Sequence, residues 1–179
     1  MISNRTTHLR KGVVAATAAF ASIGTVATLG TATAAAATHP AATVSDITVT
    51  AKKIDNASAG HSYVRLVLTN TGKRTVSIKG FSGISFVGYG NGTQVGRPAT
   101  WLHDHPTRTI ILKPGQHTGE LVQIADPGVY GPTKGHTVTA DGFRVYLPGE
   151  RAAEFAPLHV RATTRHVTQL AAEPVGVTS

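Results

Sequence analysis

Short runs in which apolar and polar residues alternate with a period of two constrain the fold of this chain more than any other feature. The clearest run covers residues 63–70, where Val64, Leu66 and Leu68 fall on one side of an extended chain. Residues 143–147 repeat the pattern. Successive side chains of a β-strand point to opposite faces, so such runs predict strands with one buried face. No stretch after residue 37 carries the helical period, and we therefore expect an all-β fold.

Turn dipeptides separate these runs and suggest how the strands connect. Asn91-Gly92 is the strongest hairpin signal, because both residue types tolerate a positive φ. This spacing of short strands and turns predicts a single antiparallel β-sandwich of about eight strands, with a closed barrel as the alternative. The runs that predict strands are residues 46–51, 63–70, 75–79, 84–89, 93–96, 107–112, 118–125, 143–147, 156–161 and 167–172.

The first 37 residues have the pattern of a secretory signal peptide. Arg5, Arg10 and Lys11 precede an uncharged run over residues 12–29, and small residues follow it up to Thr38. A retained membrane helix is the alternative, but a run of about 18 residues rich in Ala, Gly and Thr is a weak span. We expect cleavage after residue 37 and a protein that is secreted, either extracellular or loosely associated with the cell wall.

The rest of the chain is long enough for one domain. We expect residues 38–44 to form an exposed lead-in and residues 45–176 to form the β-sandwich. Residues 173–179 carry neither an apolar tail nor a basic stop, so no stable membrane anchor is expected.

Charge and cysteine content narrow the possible chemistry. The chain has no cysteine, which excludes disulfides, thiolate metal sites and cysteine nucleophiles. Three of the 17 Lys and Arg residues lie in the first 37 positions, which leaves fourteen against nine acids and a net charge of +5. Outside the cell such a charge favours an anionic cell-wall polymer or a protein partner, and we expect no nucleic-acid partner.

Five short segments follow one another in an order that is informative. They are residues 63–72 (YVRLVLTNTG), 80–86 (GFSGISF), 95–99 (VGRPA), 112–115 (LKPG) and 142–149 (GFRVYLPG). Together they resemble a secreted actinobacterial family, the domain of unknown function 4232. The resemblance implies an exported immunoglobulin-like β-sandwich over roughly residues 45–176, and it brings no catalytic residue. The chain departs from the family pattern by lacking its cysteines and by having Ser82 where proline is usual.

Histidines are the strongest candidates for metal ligands in this sequence. His103 and His105 flank Asp104 directly after the segment that holds the only tryptophan, and on an extended chain both rings point the same way. With His117 and His136 they are the candidate ligands of a Zn²⁺ or Cu²⁺ site. A solvated loop is the alternative explanation, since Pro106 and polar residues follow. We expect no other cofactor.

No pattern of catalytic residues stands out. Residues 80–83 (GFSG) miss the nucleophile-elbow pattern because Ile84 takes its last position, so we expect no enzyme.

Trp101 is expected to pack in the interior as most large aromatic residues do, with an exposed recognition surface as the alternative. The sequence therefore predicts an exported non-enzymatic domain that binds a cell-envelope component or a protein partner. A histidine-based metal-binding domain is the alternative function.

Overall fold

The computed structural model describes residues 38–58 and 60–178, without the side chains of residues 56–58. The predicted signal peptide lies outside these residues. The described part contains eleven strands, one short 3₁₀ helix and no α-helix, and it has no helix of the length and apolar character that a membrane span requires. The elements are β1 (Ile47–Ser58), β2 (His61–Asn70), β3 (Val76–Ile78), β4 (Gly83–Gly88), β5 (Thr93–Val95), β6 (Thr100–Trp101), β7 (Ile110–Leu112), β8 (His117–Ala125), η1 (Pro127–Tyr130), β9 (Thr137–Tyr146), β10 (Ala153–Thr163) and β11 (Leu170–Ala172).

These strands form three sheets. The five-stranded sheet has the order β1-β2-β8-β11-β6, the four-stranded sheet has the order β10-β9-β4-β5, and β3 pairs with β7. All pairs are antiparallel except β11 with β6, which is parallel. The all-β prediction is confirmed. The strand number is eleven instead of about eight. Each of the ten predicted runs overlaps a strand, and β6, whose two residues are too few to show alternation, falls outside them.

The inner faces of the sheets pack together in one hydrophobic core. Leu66 of β2 is fully buried, as the alternation predicts, and Phe86 of β4 meets Phe143 of β9 with ring centroids 5.3 Å apart. Ile47 of β1 and Val76 of β3 belong to the same cluster. Burial of such side chains stabilises the fold by about 1.5–3 kcal/mol each, which is how a chain without disulfides holds together.

The lead-in predicted over residues 38–44 is exposed only in part. Ala42 has 3 % of its surface exposed, and its N–H donates to the Ser77 carbonyl at 2.8 Å. The Ser77 N–H in turn donates to the Pro40 carbonyl at 2.8 Å. The expectation of an exposed lead-in is corrected here, because the free edge of β3 offers backbone groups that this segment pairs with.

Candidate binding surface

Three aromatic rings meet at the start of β4, and we call Phe81, Trp101 and His103 the aromatic surface. Phe81 stacks on Trp101 with centroids 5.4 Å apart and 17° between the ring planes. His103 meets Phe81 edge to face at 4.9 Å. Trp101 remains 52 % exposed, so a large indole that is fixed on one side faces solvent on the other.

Backbone pairing brings the members of the aromatic surface together. The Ala99 N–H donates to the Ile84 carbonyl, and the Leu102 N–H donates to the Ala172 carbonyl, each at 2.8 Å. These two bonds tie the chain on either side of β6 to β4 and β11. Trp101 and His103 are two residues apart, and in an extended segment this spacing puts both side chains on the same side as Phe81.

The indole of Trp101 is also held by a hydrogen bond. Its Nε1–H donates to the carbonyl oxygen of Ser82 at 3.1 Å. Ser82 follows Phe81 directly and is fully buried. The hydrogen bond and the stack together define the orientation of the ring before any ligand arrives, which lowers the entropy that binding would cost.

The side chain of Glu120 on β8 is hydrogen-bonded to Ser82 in the interior of the domain. The carboxylate is fully buried, and it accepts hydrogen bonds from the Ser82 N–H at 3.0 Å and from the Ser82 hydroxyl. Desolvation raises the pKa of Glu120 to about 7, and the two hydrogen bonds from Ser82 oppose that rise. A carboxyl that costs this much to bury is thus used to fix the residue whose carbonyl binds Trp101.

A cleft on the five-stranded sheet lies beside the segment that follows Trp101. It has a volume of about 330 Å³ and includes Leu102 and Asp104 in its lining. Glu173, which also lines it, is 8 % exposed, and its Oε2 lies 3.0 Å from Nδ1 of His105. This pair ties the segment after β6 to the segment after β11.

The structure places the four predicted metal ligands at separate points. His103 lies against Phe81, whereas the His105 imidazole pairs with Glu173. His117 begins β8. His136 lies beyond the other end of that strand, where its carbonyl accepts from Thr163 and Thr164.

Nine residues of β8 separate the two ends by roughly 27 Å at the usual rise of a strand. Within residues 38–58 and 60–178 there is no group of three or more His, Cys, Asp or Glu placed to hold a metal ion. The histidine site remains a prediction to which this geometry adds no support.

The prediction that Trp101 packs in the interior is wrong, because the residue is half exposed. The residue lies on β6, a two-residue strand at the edge of the five-stranded sheet. β6 pairs with β11 on one side, and its other side has no neighbouring strand in that sheet.

The sequence analysis did not single out the buried Glu120, although the sequence contains a signal for it. Glu120 is in phase with Val122 and Ile124 on the inward face of β8, so the alternation itself marks a carboxylate that must be buried.

These features define the class of the molecule as an all-β domain built of three sheets around one core. The chain belongs to the family described as domain of unknown function (DUF4232), whose model matches residues 42–176. The family resemblance inferred from five short segments is thereby confirmed. Searches of curated proteins and of solved structures each give no significant match.

Proposed function

We propose that this chain is an exported, non-enzymatic domain with an immunoglobulin-like β-sandwich fold, which binds a cell-envelope component or a protein partner through the aromatic surface. The observation that carries the proposal is Trp101, an indole that is half exposed and yet held by a stack on Phe81 and a hydrogen bond to Ser82. Tryptophan is enriched among residues that dominate binding energies, because it offers a large rigid surface at low entropic cost.

The arrangement below the surface supports binding instead of catalysis. Glu120 is the described carboxyl with the most strongly raised pKa, and it has no exposed area through which a substrate could reach it. The hydroxyl of Ser82 donates to Glu120 but is fully buried as well, so a substrate could not reach it as a nucleophile. Both groups are explained by the support they give to Trp101.

The sandwich fold and the export have separate support. The five-stranded and four-stranded sheets contribute their inner faces to one core, as in sandwiches, and their edge strands β1 and β10 lie close to each other. Export rests on the pattern of residues 1–37, and the net charge of +5 beyond them suits an anionic envelope.

Fractionation of producing cells tests this proposal. The full chain should appear in the medium and the envelope fraction, and the envelope-bound part should fall as salt is raised. Trp101→Ala should lose most of the salt-resistant binding. Phe155→Ala is the matched control, because Phe155 is also 52 % exposed but lies on β10. Retention in the cytoplasm, or equal binding by both variants, would contradict the proposal.

A further inference from the structure

We infer that the ligand of the aromatic surface is a glycan, and that the Trp101 indole packs against the C–H face of a sugar ring. This inference rests on the proposed function, since it names the chemistry of the component that the same surface binds. The argument comes from the part of Trp101 that remains available, the polar groups beside it, and the surroundings of the surface.

The available part of Trp101 is a flat carbon surface. Its N–H is already bonded to the Ser82 carbonyl, so the indole has no donor left for a partner. Phe81 lies nearly parallel to the ring and covers one face. What the exposed half of the residue offers a partner is therefore aromatic carbon surface. The C–H bonds on one face of a pyranose form an apolar plane that matches such a surface.

A polar side chain stands next to this flat surface. His103 is exposed, and its ring meets Phe81 edge to face at 4.9 Å. A neutral imidazole beside an aromatic ring provides a donor and an acceptor of the kind that sugar hydroxyl groups use.

The surroundings favour a glycan over a protein partner. A stable protein interface buries about 1,200–2,000 Å² around an apolar centre. Here the other exposed large aromatic residues of the described chain, Tyr89 after β4 and Phe155 on β10, make no ring contact with Trp101. A single aromatic ring with a polar rim suits one or two sugar units.

Trp101 is the only tryptophan of the chain, so its fluorescence reports on this surface alone. The probe is the soluble oligosaccharide mixture released from the protease-treated envelope of the producing cells. Titration of the full chain should shift the emission maximum to shorter wavelength and saturate. His103→Ala should weaken the binding several-fold, whereas Phe155→Ala should leave it unchanged.

Variants without tryptophan are measured by sedimentation with insoluble, protease-treated envelope glycan. Trp101→Ala should bind about 30-fold more weakly, as for a residue that dominates a binding energy. Trp101→Phe keeps an aromatic ring and should bind with an intermediate affinity. Melting temperatures near that of the wild type establish that the variants are folded, and Trp101→Phe and His103→Ala carry the test if Trp101→Ala does not fold.

The possible failures are distinguishable. If the chain binds untreated envelope but not the protease-treated glycan, the partner is a protein, which overturns the glycan inference and leaves the proposed function standing. If the chain binds neither preparation, both are overturned. Binding to the glycan that Trp101→Ala and His103→Ala do not weaken would overturn the assignment to this surface.

Discussion

Glu120 and Ser82 form a buried contact in which one carboxylate accepts both the N–H and the hydroxyl of one serine. The same serine accepts the indole N–H of Trp101 through its carbonyl. A group in the interior of β8 is thereby linked, through a single residue, to a ring on the surface. Because unpaired buried charge is costly, the contact constrains Ser82 strongly and positions the aromatic surface.

The first prediction concerns the pH dependence of stability. The pKa of Glu120 is raised from an ordinary value of 4.5 to about 7. The folded protein therefore binds more protons than the unfolded chain between these values. Its free energy of unfolding should fall by about 3 kcal/mol as the pH rises from 4.5 to 7. Urea denaturation at a series of pH values measures this.

Glu120→Gln is the control for that titration. The amide is isosteric and does not ionise, so the fall assigned to Glu120 should vanish in the variant. All other ionisable groups are the same in both proteins, so their contributions cancel in the difference. Parallel pH profiles for wild type and Glu120→Gln would contradict the prediction.

The second prediction concerns Asp46, whose effect on the pH dependence of stability is opposite to that of Glu120. Hydrogen bonds from Arg74 and Thr43 hold the pKa of Asp46 well below its ordinary value of 3.8. Its contribution is therefore present above that value and is lost as the pH falls below it. Asp46→Asn should cost about 1–3 kcal/mol at neutral pH and should show a weaker loss of stability in acid. Thermal unfolding between neutral and acid pH measures both effects, and an unchanged melting temperature at neutral pH would exclude the role.

The third prediction concerns the close approach of β10 to Gly142 on β9. A Cβ at Gly142 would lie 2.4 Å from the Ala156 carbonyl oxygen, a backbone atom that cannot move aside. Gly142→Ala should therefore destabilise the domain by about 1–3 kcal/mol, the usual cost of overpacking. Gly83→Ala is the matched control, since the nearest atom there is a Tyr146 side-chain carbon at 3.4 Å, an ordinary contact. Equal stability of the two variants, measured by urea denaturation, would show that the strands separate easily.

The fourth prediction concerns metal ions. A tetrahedral site needs three or four ligands, whereas His105 is paired with Glu173 and His103 lies against Phe81. Zn²⁺ or Cu²⁺ should leave the melting temperature unchanged in a thermal shift assay. A rise that depends on metal concentration and disappears in His103→Ala with His105→Ala would establish the histidine site instead, since binding to the native state stabilises it.

Each of the ten runs predicted as strands overlaps a strand of the structure, and the two-residue β6 is the strand that they miss. Residues 63–70 gave β2 almost to the residue, because one face of this strand is buried along its length. β6 has two residues and pairs in parallel with β11, and two residues carry no period. Ala42 was expected to be exposed, because pairing with the edge of β3 depends on residues distant in sequence.

The same reasons apply to the site. The histidines His103 and His105 pointed to the segment that carries part of the aromatic surface, yet their neighbours Phe81 and Glu173 come from distant parts of the chain. The exposure of Trp101 follows from its place on an edge strand, which the local sequence does not encode. Glu120 could have been found, because its position on the inward face of β8 is a local property.

Quenching of Trp101 fluorescence by acrylamide, with and without the envelope fraction, tests the central claim most directly. The indole is 52 % exposed, so free protein should be quenched efficiently. If the aromatic surface binds the envelope component, quenching should fall in proportion to the bound fraction. Unchanged quenching of protein that sediments with the envelope would show that binding occurs elsewhere and would contradict the account.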